Sequence, residues 1–68
     1  MKIYVRRTSD GFPLRGNNVR EFESLEECIN TLECETGEEE YVVSKPAHWN
    51  GIPEGVERVV EIYDDYRE

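Results

Sequence analysis

Val56-Glu57-Arg58-Val59-Val60-Glu61-Ile62-Tyr63 is the stretch on which the fold of this chain turns. Read with a period of two, Val56, Arg58, Val60 and Ile62 share one face, and Val59 and Tyr63 share the other. Read with a period of 3.6, Val56, Val59, Val60 and Tyr63 fall at i, i+3, i+4 and i+7 and make an equally good helical stripe. Three valines, an isoleucine and a tyrosine in eight positions favour the strand, because β-branched and aromatic side chains fit a pleated surface. The strand reading gives the order β-β-α-β-β, and the helix reading gives β-β-α-β-α. The expected fold is therefore α+β, one domain over residues 1–68, with a mostly antiparallel sheet and one helix packed on one face.

Working outward, Glu40–Ser44 is a compact β pattern that Lys45-Pro46 stops. Between the two strands, Ala47–Gly55 holds one proline and two glycines around His48-Trp49-Asn50 and reads as a loop. Upstream, Ser24 followed three residues later by Glu27 has the spacing of a capping box. Leu25, Cys28, Ile29 and Leu32 then form one apolar helical stripe, and Thr36-Gly37 ends the helix. At the start of the chain, Lys2–Arg7 reads as a strand with Ile3 and Val5 towards the core. Val19–Phe22 returns as a short second strand with Arg20 facing outward. Thr8–Asn18, with Asp10-Gly11, Pro13, Gly16 and Asn17-Asn18, is a long connection.

Charge is sorted along these elements. Between Arg20 and Lys45 there is no basic residue, and nine of the 24 positions are glutamate. The first 20 residues instead carry Lys2, Arg6, Arg7, Arg15 and Arg20 against Asp10 alone. The whole chain has a formal charge of −8. Such a surface repels nucleic acid and anionic membrane and attracts a basic partner. No segment approaches the ~20 apolar residues of a membrane span, and the start is charged too early for a secretion signal. The cytoplasm is the expected location.

Cys28 and Cys34, six apart in one helix, stand about 9 Å apart along its axis. That is too far for a disulfide, so two reduced thiols are expected. Catalysis is not expected. Cys34 sits between Glu33 and Glu35 near a helix C-terminus, which disfavours a thiolate, and Cys28 lies on the apolar stripe. His48 is the only histidine and is placed in a loop. No CxxC, HxxxH, calcium-binding loop or phosphate-cradling glycine loop is present, so no metal or cofactor is expected.

The expected site is a binding surface. Glu26, Glu27, Glu33, Glu35, Glu38, Glu39 and Glu40 are its candidate residues, with Trp49 as a candidate anchor. Glutamates three and four apart on a helix are spaced roughly 5–6 Å, so a row of them can imitate a row of phosphates. A basic protein is the expected partner, in the sharper form one that binds nucleic acid. Glu23, Glu26 and Glu27 also suit the positive end of the helix dipole, whereas Glu33 and Glu35 sit at the negative end. In size, charge and economy of fold the chain resembles the small acidic inhibitors that phages use against restriction or CRISPR nucleases. That resemblance implies a nucleic-acid mimic, and it involves no shared motif. Two other readings stand beside it. In one, the basic N-terminal and acidic central segments meet between copies, as in a homodimer or structural subunit. In the other, less favoured because of the net charge, Lys2, Tyr4, Arg6, Arg7, Phe12, Arg15 and Arg20 bind nucleic acid directly.

Overall fold

A computed structural model describes residues 1–10 and 18–64. Five regular elements follow in order: β1 (Lys2–Arg7), β2 (Val19–Glu21), α1 (Leu25–Thr36), β3 (Tyr41–Ser44) and β4 (Arg58–Ile62). Short 3₁₀ turns at Thr8–Asp10 and Pro46–His48 follow β1 and β3. The architecture is α+β with the order β-β-α-β-β, so the stretch around Val59 is a strand. Much of the expected long connection, with Phe12 and Arg15, lies outside the described residues, as does the tail beyond Asp64.

The four strands form one sheet in the order β2-β1-β4-β3. The pairs β1–β2 and β3–β4 are antiparallel, and the central pair β1–β4 is parallel. The sheet is thus mostly antiparallel with a parallel seam at its middle. Along that seam Ile3 pairs with Arg58, Val5 with Val60, and Arg6 with Glu61.

The strand outcome for β4 has a plain physical cause. Val59 and Val60 are consecutive, point to opposite faces, and are both completely buried. The burial then follows a period of two: Ile62, on the face of Val60, is 2% exposed, whereas Tyr63, the last residue of the helical stripe, is 43% exposed.

One face carries the main core. Ile3, Val60 and Ile62 of the sheet meet Phe22 and the helix residues Cys28 and Leu32. Leu25, Ile29, Val5 and Tyr41 pack around them. The helix stripe expected from the sequence is therefore the one that docks.

The second face holds Tyr4, Arg6 and Val59, all buried. Trp49, from the segment between β3 and β4, packs here. The Arg6 guanidinium lies over its ring at 5.0 Å from the centroid, and its Nε1 donates to Ser44 Oγ at 2.8 Å.

One expectation is corrected. Arg20 is exposed, but on the helix side of the sheet and not on the far face. It pairs with Ile3 across β1–β2 and shares the face of Phe22, two residues on, which lies in the core. Arg20 therefore projects to the side of α1.

Leu32 is 2% exposed at the centre of the helix–sheet contact. Leu32→Ala is expected to lower unfolding free energy by about 2–5 kcal/mol. Val43→Thr, at an exposed position of β3, should change it by no more than about 0.5 kcal/mol. Urea titrations followed by circular dichroism measure both.

Candidate functional site

The acidic surface is built by the two ends of α1. At the first end, Ser24 is in an extended conformation and its side chain accepts the Glu27 N–H at 3.1 Å. This cap fixes the first turn, where Glu26 and Glu27 sit exposed. Because Leu25, Cys28, Ile29 and Leu32 face the sheet, Glu26, Glu27 and Glu33 project to solvent. The helix is 12 residues long, and its glutamates, from Glu26 to Glu35, are strung over about 14 Å.

At the far end, Gly37 adopts φ 75°, a left-handed conformation open to glycine, and its N–H reaches the Glu33 carbonyl at 3.0 Å. The Thr36 hydroxyl donates to the Leu32 carbonyl at 2.8 Å and accepts the Glu38 N–H at 3.1 Å. The Tyr41 hydroxyl donates to the Glu38 carbonyl at 2.7 Å. These bonds lock the turn from α1 into β3. Glu39 and Glu40 stand exposed on it, and Glu38 is half-buried.

Glu35 belongs to a different arrangement. Arg20 grips it with two parallel hydrogen bonds of 2.9 Å each. This fork draws the Glu35 carboxyl below the usual glutamate range and raises the Arg20 guanidinium. Arg20 also lies 5.2 Å from the Phe22 ring centroid. Glu35 thus does folding work: it ties the negative end of α1 to the edge strand β2.

The two arginines of β1 are also matched inside the chain. Arg6 is 4% exposed and lies 3.7 Å from Glu61, its direct neighbour across the parallel seam. Arg7 Nη1 donates to Asp64 Oδ2 at 3.1 Å. Asp64 is a latch between the ends of β1 and β4. Its oxygens also accept from the Thr8 hydroxyl at 2.9 Å, the Ser9 N–H at 3.0 Å and the Ser9 hydroxyl at 2.9 Å. Burial alone would push its carboxyl up, but the Ser9, Arg7 and Thr8 donors outweigh that and hold it at about 2. Sequence reasoning did not find Glu61 and Asp64 as counter-ions. The signal becomes readable only once β1 and β4 are known to be parallel neighbours.

The candidates therefore divide. Glu26, Glu27, Glu33, Glu39 and Glu40 are exposed, and none has an ion pair among the described residues. Glu23, just before the helix, is in the same condition. Glu35 is neutralised by Arg20. Trp49 does not join the helix glutamates. It is half-buried on the sheet face opposite α1, between Arg6 and Ser44.

A cavity of about 320 Å³ opens between the end of α1 and β1–β2, lined by Val5, Arg7, Arg20, Leu32, Glu35 and Thr36. Of the charged residues around it, Arg20 pairs with Glu35, Arg6 with Glu61 and Arg7 with Asp64. Among the described residues, no three or more His, Cys, Asp or Glu side chains are placed to hold a metal ion. Nor is any helix of the described residues long and apolar enough to cross a membrane. Both cysteines are free thiols; Cys28 is buried and Cys34 exposed. Burial pushes the Cys28 thiol up to about 11, with the nearby Arg20 charge opposing it. No protein-family model, curated protein or solved structure matches the chain.

Two outcomes follow from this geometry. Iodoacetamide at neutral pH should label Cys34 on the native chain and reach Cys28 only after unfolding, as mass spectrometry can read. The Asp64 carboxyl is depressed on folding, so its contribution is full above about pH 4 and is lost as pH falls towards about 2. Asp64→Asn should lower stability at pH 7 by about 1–3 kcal/mol and flatten the acid limb of a pH–stability profile.

Proposed function

We propose that the chain is a non-enzymatic acidic binding domain that docks on a basic surface of another protein through the solvent side of α1 and the turn into β3. One observation carries this reading. Glu26, Glu27, Glu33, Glu39 and Glu40 are exposed and without ion pairs among the described residues, while the arginines of β1 and β2 each have a carboxylate elsewhere. Repulsion within that row is unopposed: Glu26 and Glu33, seven residues apart, lie on one side of α1 about 10 Å from each other, and no basic residue stands between Arg20 and Lys45 to offset them. A surface that needed only hydration would interleave lysines. A basic partner would turn the same repulsion into binding free energy and into a fast, salt-sensitive encounter.

The sharper form is a nucleic-acid mimic, in which the carboxylate row occupies the phosphate track of a DNA- or RNA-binding protein. An inhibitor of phage anti-defence type is the matching biological role. Trp49 contributes less to such a surface than the sequence suggested, since its ring and indole N–H are engaged on the other side of the sheet. Direct binding of nucleic acid through β1 gains no support from arginines that already face Glu61, Asp64 and Glu35.

The test is a cleavage assay with restriction and CRISPR nucleases as basic partners. Inhibition is expected to be competitive with DNA, to weaken as salt rises, and to be lost in the triple variant Glu26→Lys, Glu27→Lys, Glu33→Lys. Circular dichroism would confirm that the variant folds, since all three residues are exposed. Equal inhibition by the triple variant would exclude the helix face as the site. Absence of inhibition across the panel would remove the mimic form.

A further inference from the structure

The two edges of the sheet are unlike. Edge β2 is three residues long and includes Arg20 and Glu21. Edge β3 is Tyr41-Val42-Val43-Ser44, without a charge, and Val42 and Val43 are 47% and 42% exposed. Tyr63, which follows β4 and pairs with Glu40, is 43% exposed. These three are the exposed large hydrophobic residues among the described residues, and all lie at this edge. Uncharged, apolar edge strands are the ones that recruit another strand.

The pairing pattern says which backbone groups are on offer. The Tyr63 N–H donates to the Glu40 carbonyl at 2.9 Å, so Glu40–Tyr63 is a hydrogen-bonded pair of the β3–β4 ladder. Alternation then makes Val42–Glu61 and Ser44–Val59 the next such pairs. The N–H and C=O groups of Tyr41 and Val43 must point away from β4, to the open edge. Lys45 continues the extended backbone at φ −93°, ψ 147°.

We infer that β3 pairs with the β3 strand of a second copy of this chain, antiparallel and centred on Val42, joining two sheets into one of eight strands. The open-edge groups allow only registers that set odd-numbered residues opposite odd-numbered ones. Centring on Val42 does this and places complementary side chains together. Tyr41 meets the partner's Val43 on the helix side. Val42 meets the partner's Val42 on the other side, as a non-hydrogen-bonded pair with Cα atoms about 4.5 Å apart. Glu39 meets the partner's Lys45, and Glu40 meets the partner's Ser44. Charge is thus complementary along the seam even though each chain carries −8. A basic extended peptide would also suit Glu39 and Glu40, but it would leave Lys45 opposed. The second copy satisfies both ends.

This dimer is independent of the proposed docking of a basic partner and differs from it in salt response. Screening removes repulsion between two chains of −8, so the edge dimer should strengthen with salt, whereas docking on a basic surface should weaken. The seam is short and well below a standard interface of about 1,600 Å², so the dimer is a weak one that requires high protein concentration.

Sedimentation velocity over a wide concentration range tests it. The mass should rise from 8.0 kDa towards twice that value, more readily at high salt. Val42→Lys, which sets two ammonium groups against each other on the axis, should stay monomeric throughout. Lys45→Glu should shift the association to higher concentration, and the double variant Glu39→Lys, Lys45→Glu should restore it. Val42 and Lys45 are exposed, so circular dichroism is expected to show native folding in each variant. A wild-type chain that stays monomeric at every concentration and salt would overturn the proposal. So would a dimer that persists unchanged in Val42→Lys, or one that falls apart as salt rises and so joins basic to acidic faces instead.

Discussion

The parallel seam between β1 and β4 is the constraint from which the rest of this structure follows. Five residues of each strand pair there, from Ile3 with Arg58 to Arg7 with Ile62. Both strands are interior, and parallel pairs are stable only when both faces are covered. Among the described residues one α-helix covers one face. The other is served by the segment between β3 and β4, which brings Trp49 against Arg6. A chain of 68 residues therefore builds two thin layers of core rather than one thick one. Tyr4 and Val59 on one side, and Ile3 and Val60 on the other, are all essentially buried.

The same seam decides where the positive charge goes. Parallel strands end together, so the C-terminal end of β1, with Arg6 and Arg7, lies beside the end of β4, with Glu61 and Asp64. Alternation along β2 carries Arg20 to the helix side, where Glu35 waits at a helix end that lacks a basic residue. These contacts make internal counter-ions of Arg6, Arg7 and Arg20. What remains on the outer side of α1 is negative charge with no neutralising partner among the described residues. The segregation of charge along the sequence is thus a poor guide to segregation in space for the arginines and a good one for most of the glutamates.

How far the sequence could be read depended on whether the information was local. The cap at Ser24, the stripe from Leu25 to Leu32 and the stop at Gly37 depend on neighbours within a few residues, and each stands as expected. The β character of Val59–Ile62 was legible from side-chain type. The partners of that strand were not, because nothing near Val60 specifies Val5. From this gap came the missed roles of Glu61 and Asp64. Arg20 was assigned outward although the burial of Phe22, two positions later, sets its face the other way. Among the site candidates, Glu26, Glu27 and Glu33 follow from helix periodicity. Glu35 and Trp49 have duties that only tertiary contacts disclose.

The central claim is electrostatic: the arginines of β1 and β2 are paired within the fold, and the outer side of α1 with the turn into β3 is, among the described residues, an unbalanced negative surface. Paramagnetic relaxation of backbone amides by a cationic and an anionic cosolute, compared residue by residue, reports the local potential directly. The account predicts the most negative potential from Glu26 to Glu40, weakened beside Glu35, and no positive patch along Lys2–Arg7. A positive potential over β1, or a near-neutral surface along α1, would contradict it.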